Sequence, residues 1–136
     1  MKKVIIATHY TLATGYKETL AGLTGSDDNV QAICAYVHNA DKTELVQQLL
    51  RLLNSKDEFY IMTDLSFGSV NQLISQFISP RIHVVTGINL PFAMALTLAV
   101  KNALPVDLDA MITQARQELK VVTPIVAESV REQDDE

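Results

Sequence analysis

The chain has 136 residues, 48% of them apolar and 20% charged, enough for one domain with a buried core and unlike a disordered segment. Eleven basic against sixteen acidic residues leave a net charge of −5. That balance argues against nucleic acid as a partner, because phosphate contacts need clustered Lys and Arg, and it favours a basic protein surface.

Lys2-Lys3 leads into the apolar run Val4-Ile5-Ile6-Ala7, which has the length of a buried strand and is too short for a signal peptide. His9 closes the run, and Thr11 to Leu23 takes up helical spacing. Thr24-Gly25-Ser26-Asp27-Asp28-Asn29 is turn chemistry. A second strand follows, Val30 to Tyr36, in which the single cysteine, Cys34, reads as a small core residue. One cysteine also excludes an internal disulfide or a cysteine metal cluster. His38 falls in the solvated loop that comes next. Asp41 is the expected N-cap of a second helix, with Glu44 three residues on as in a capping box. Leu45, Leu49, Leu52 and Leu53 form the apolar face of that helix.

Glu58 to Thr63 is the third strand and ends at Asp64. Ser69 is expected to cap a helix reaching about Ile78, which Pro80 stops. Arg81 to Thr86 is the fourth strand, closed by Gly87, with His83 as a core or edge residue. Leu90 to Asn102 is a strongly apolar helix with Pro91 in its first turn, too short to span a bilayer. Asp107 or Asp109 opens a last helix through about Leu119. Lys120 to Val126 has the composition of one more strand, which Pro124 restricts to an edge or irregular position.

This alternation predicts an α/β domain over residues 1–130. It is flavodoxin-like and doubly wound, with a mainly parallel four-stranded sheet covered on both faces, and 131–136 form an acidic tail. With no leader or bilayer-spanning run, a soluble cytoplasmic protein is expected. In such a sheet the strand ends deliver Thr8-His9, Asp64 and Thr86-Gly87-Ile88-Asn89 to one edge, where ligands collect. If the first and third strands are neighbours, Asp64 faces His9. A carboxylate on one imidazole nitrogen fixes the tautomer and frees the other to attack. Gly68-Ser69 opens a helix beside the pair, offering N–H groups and a hydroxyl to a phosphate. The set suits nucleophilic phosphoryl transfer and calls for no metal or cofactor. Two plainer readings stand beside it: His9 as a loop residue bonded to backbone, and Asp64 as a helix cap.

Ala7-Thr8-His9, Asp64-Leu65-Ser66-Phe67-Gly68-Ser69-Val70-Asn71 and Thr86-Gly87-Ile88-Asn89-Leu90-Pro91 together resemble three ordered motifs of enzyme IIA domains. These are the IIA domains of the mannose/fructose/sorbose family of the bacterial sugar phosphotransferase system. Phe67 stands where the family's D-x-x-G-G-S-P-x-N segment has its first glycine, and Val70 where it has proline. The resemblance implies a cytoplasmic phosphocarrier with His9 as phosphoacceptor and Asp64 as its orienting partner. Leu65, Gly68, Ser69 and Asn89 would line the phosphate site. It further implies HPr as donor, a IIB component as acceptor, and the membrane IIC/IID complex as an indirect partner. A homodimer that exchanges the C-terminal strand is also implied. A phosphocarrier subunit of dihydroxyacetone kinase shares the histidine segment and is the alternative within the same chemistry. From other classes, a response-regulator receiver would need an acidic pair where Ala7-Thr8-His9 stand, and of a non-catalytic flavin- or nucleotide-binding module the flavin version would make the purified protein yellow.

Overall fold

A computed structural model describes residues 1–26, 28–37 and 41–124. The elements in chain order are β1 (Lys2–His9), α1 (Leu12–Thr24), β2 (Val30–Ala35), α2 (Lys42–Leu52) and β3 (Glu58–Thr63). They continue with α3 (Ser69–Ser75), β4 (Ile82–Val85), α4 (Leu90–Lys101) and α5 (Leu108–Gln117). The four strands form one parallel sheet in the order β2-β1-β3-β4, which is the doubly wound arrangement expected. Strand order reverses between β1 and β3, so their carboxyl ends flank the crevice where such sheets bind ligands.

Alternation along each strand divides the core into two layers. Val4 and Ile6 of β1, with Tyr60 and Met62 of β3, pack under Ala13 and Leu20 of α1 and Phe92 and Leu96 of α4. Ile5 and Ala7, with Phe59 and Ile61, pack under Leu45 and Leu49 of α2 and Val70 and Ile74 of α3. Because both faces are covered, β1 reads as a continuous apolar run. Each fully buried Leu or Ile stabilises the fold by about 1.5–3 kcal/mol. By the same parity His9 belongs to the α2/α3 layer, and Thr8 faces α1, where its Oγ1 accepts a 2.7 Å bond from the Ala13 N–H.

Three helix starts carry side-chain caps, of which those at Asp41 and Asp107 are expected from sequence. Asp41 accepts from the Glu44 N–H, Asn89 from Phe92 and Asp107 from Ala110. The Glu44 carboxylate accepts from Gln48 one turn on. Gly25, at φ +91°, ends α1 in the left-handed region that favours glycine. There the Lys101 ammonium donates to the Thr24 carbonyl, placing a cation at the negative end of α1.

The structure departs from expectation at α3. Gly68, not Ser69, is the N-cap of α3. The helix ends at Ser75 instead of Ile78, because Gln76, Phe77 and Ile78 each donate to the carbonyl three residues back, the tighter spacing of a 3₁₀ turn. Lys120 to Thr123 pair with no strand, and Val121 and Val122 are 87% and 80% exposed. The remainder of the expected C-terminal strand, the acidic tail and His38 lie outside the described residues. His83, in the edge strand β4, stacks on Tyr60 at 4.8 Å, and its Nε2 bonds Glu58 Oε2 at 2.7 Å. That bond holds the Glu58 carboxyl below its ordinary pKa. No helix among the described residues is long and apolar enough to cross a membrane.

Candidate functional site

His9 ends β1, and Tyr10 turns the chain away at φ +52°. The Tyr10 N–H donates to the Ala35 carbonyl of the neighbouring strand, which fixes the turn. One position past the end of β3, Asp64 reaches back across the crevice. Its Oδ2 accepts from the His9 backbone N–H at 3.0 Å, and its Oδ1 accepts from the Leu65 N–H at 3.0 Å. Both carboxylate oxygens also meet His9 Nδ1, at 3.1 and 3.0 Å. An ionised carboxylate can only accept, so in the neutral imidazole Nδ1 carries the hydrogen and Nε2 keeps its lone pair. Asp64 thus ties down both the backbone and the ring of His9, which goes beyond capping. The side chains are 24% and 10% exposed, leaving the imidazole open to a reactant while its counter-charge is sheltered.

Gly68 closes the other side of the ring. A Cβ built on it would lie 2.5 Å from His9 Cε1 and 3.2 Å from Nε2. Its φ is −81°, so the glycine is needed for space and not for backbone freedom. Phe67 points into solvent, 95% exposed, while Val70 is buried in the α2/α3 core. Of the glycine pair in the motif, only the second touches the histidine, so Phe67 is accommodated without disturbing the ring. The Gly68 N–H is spent on the Leu65 carbonyl. Ser69 bonds Tyr36 through its hydroxyl and caps nothing. Asn71 anchors the loop, accepting from Thr63 Oγ1 at 2.9 Å.

His9, Asp64 and Gly68 therefore converge in direct contact, and Ser69 joins them through Tyr36. Leu65 is exposed at the rim. Asn89 works elsewhere, because its Oδ1 caps α4 and its Nδ2 donates to the Ala115 carbonyl of α5 at 2.8 Å. Two nearby tyrosines do not stand out in sequence. Tyr36 packs against the His9 ring, with centroids 5.8 Å apart. Tyr16, on α1, has its hydroxyl pKa pushed up by burial and then by the Asp64 charge. The signal for Tyr36 is its place one residue after Ala35, the β2 partner of His9. Among the described residues no three His, Cys, Asp or Glu side chains group as metal ligands would.

A model of the fructose IIA component of the phosphotransferase system matches residues 3–113. The chain belongs to this IIA family. A solved structure from Klebsiella pneumoniae, described as a candidate phosphoenolpyruvate-dependent sugar phosphotransferase permease, is 27% identical. The match covers 88% of this chain and 90% of that one, with a TM-score of 0.74. The IIA protein associated with the fucose utilization operon of Streptococcus pneumoniae is 23% identical over 95% and 96% of the two chains, with a TM-score of 0.72. The mannose/sorbose-specific IIA subunit of Enterococcus faecalis is 21% identical over 90% and 96%, with a TM-score of 0.70. The last two share the fold. No protein of curated function matches the chain in sequence. Membership in the IIA family makes this a phosphotransferase-system component of sugar transport.

Proposed function

We propose that the chain accepts a phosphoryl group from phospho-HPr on Nε2 of His9 and passes it to a IIB component. The observation that carries this reading is the contact of both Asp64 carboxylate oxygens with His9 Nδ1, at 3.1 and 3.0 Å, which favours the Nδ1–H tautomer and so leaves Nε2 to act as the nucleophile. In transfer, the Nε2 lone pair attacks phosphorus as the P–N bond to the donor histidine breaks, its electron pair returning to the donor imidazole. The product is an N-phosphorylated imidazolium, and the Asp64 carboxylate balances its charge. Donor and product are both phosphohistidines, so the step is close to thermoneutral and reversible, and in-line placement dominates the rate. Tyr10, Leu12, Leu65 and Phe67 are exposed apolar side chains on the segments that flank His9, suited to a protein donor.

Incubation with phosphoenolpyruvate, enzyme I and HPr is expected to give an acid-labile, alkali-stable phosphate on the wild-type protein and none on His9→Ala. Undiminished labelling of His9→Ala would overturn the assignment.

We further propose that the chain is a homodimer in which the C-terminal segment of each subunit adds to the β4 edge of the other. Three features support this. β4 is a sheet edge. A groove of about 290 Å³ beside it is lined by Thr86, Phe92, Ile112 and Arg116, and Thr86 Oγ1 is buried there with no hydrogen-bond partner among the described residues. The exposed Val121 and Val122 follow α5 and need cover. Exchange of an identical element closes a two-fold dimer. Sedimentation equilibrium at micromolar concentration is expected to show twice the chain mass, falling to one chain mass when the protein is cut before Lys120. A single monomeric species of the full chain would refute the exchange.

A further inference from the structure

Tyr36 lies outside all three motif segments, yet it touches two residues of the site. It stands one residue past the end of β2 at φ +66°, in the left-handed region that costs a bulky side chain about 1 kcal/mol or more. The turn carries the ring out of the strand direction and onto the His9 imidazole, with ring centroids 5.8 Å apart and planes at 39°. Its hydroxyl bonds the Ser69 hydroxyl. Ser69 directly follows Gly68, whose Cβ position lies 3.2 Å from His9 Nε2. The two hydroxyls carry two hydrogens, and only one of them can lie in the bond between them. The other is free to donate, and Ser69 directly follows the glycine whose Cβ position faces His9 Nε2.

We propose that Tyr36 is a positioning residue that, through Ser69, aims one hydroxyl hydrogen at the phosphoryl oxygens carried by His9 Nε2. The inference rests on His9 as the phosphoryl acceptor. An O–H donated to a phosphoryl oxygen is charge-assisted and stronger than a bond between neutral groups. Without Tyr36 the Ser69 hydroxyl keeps its hydrogen but loses its orientation. Without Ser69 the Tyr36 hydroxyl loses the residue that brings it to the phosphate. The two act as one unit, so their effects do not add.

Phosphoramidate provides a test that needs no partner protein. Nε2 attacks its phosphorus, the P–N bond of phosphoramidate breaks, ammonia leaves with the electron pair, and the phosphoimidazolium keeps its Nδ1–H on Asp64. Phosphorylation rate and phosphohistidine half-life are followed by ³¹P NMR for the wild type, Tyr36→Phe, Ser69→Ala and the double variant, with thermal melts alongside. Each single substitution is expected to slow phosphorylation about tenfold, and the double variant to be no slower than Ser69→Ala. The melting temperature of Tyr36→Phe, which keeps the ring, is expected to stay within a few degrees of wild type. Wild-type rates in Tyr36→Phe, or losses that multiply in the double variant, would overturn the proposal, as would failure of wild-type His9 to take up phosphate. Labelling by phosphoramidate with the expected variant pattern, but none by phospho-HPr, would uphold Tyr36 and overturn only the phosphocarrier reading.

Discussion

Asp64→Asn is expected to leave the fold standing and to slow phosphoryl transfer to His9 by about two to four orders of magnitude. The amide can hold the ring in either tautomer, and in one of them Nδ1 accepts and Nε2 carries the hydrogen, which removes the nucleophile. In the other, the charge that develops on the phosphorylated ring has no counter-charge. A stability loss accompanies the kinetic one. Asp64 accepts backbone N–H bonds from both His9 and Leu65 through different oxygens. Asparagine offers one carbonyl, so one N–H must face an NH₂ group, at a cost of about 1–3 kcal/mol. Single-turnover transfer from phospho-HPr and a thermal melt on the same preparation separate the two effects. Transfer near the wild-type rate with the stability loss intact would reduce Asp64 to a tether for the His9 backbone.

Gly68→Ala is expected to act almost wholly on the site. Its φ of −81° suits alanine, so the backbone tolerates the change. The added methyl would stand 2.5 Å from His9 Cε1 and 3.3 Å from the Leu65 carbonyl oxygen, distances at which the imidazole must turn or shift. A displacement of about 1 Å at a reacting atom costs on the order of a hundredfold in rate, and transfer is expected to fall by about that factor. Gly22→Ala is the control: it lies within α1 with nothing within 4 Å of the added methyl. It should raise stability by about 1 kcal/mol through helix propensity and leave transfer unchanged. A Gly68→Ala protein that transfers as fast as the Gly22→Ala protein would mean that His9 has more freedom than its contacts imply.

The parts of this fold that were legible in sequence are those governed by short-range chemistry. The buried run of β1 and the caps at Asp41 and Asp107 declare themselves within four residues of chain, whereas Asn89, expected at the phosphate site, caps α4. The His9–Asp64 pair was legible one level up, because strand alternation implied an order that sets β1 beside β3. The role of Ser69 was not legible. As a serine opening a helix it reads as a cap, but Gly68 takes the cap position and Tyr36 takes the hydroxyl. That contact spans 33 residues and depends on a left-handed turn at Tyr36 that no residue type announces. The requirement at Gly68 was equally hidden, since only the placed ring of His9 shows which glycine of the motif is needed for space. The shorter α3 follows from a change to i→i−3 hydrogen bonding after Ser75, which residue spacing alone does not distinguish from a continued helix.

In the proposed reaction Asp64 reserves Nδ1 and thereby directs the phosphoryl group to Nε2 of His9. ¹⁵N NMR of histidine-labelled protein, recorded after phosphorylation by phospho-HPr, reports which ring nitrogen carries phosphorus. Phosphorus coupling is expected at Nε2 of His9, with Nδ1 protonated and its hydrogen slow to exchange. Phosphate on Nδ1 of His9, or on any other residue, would contradict it.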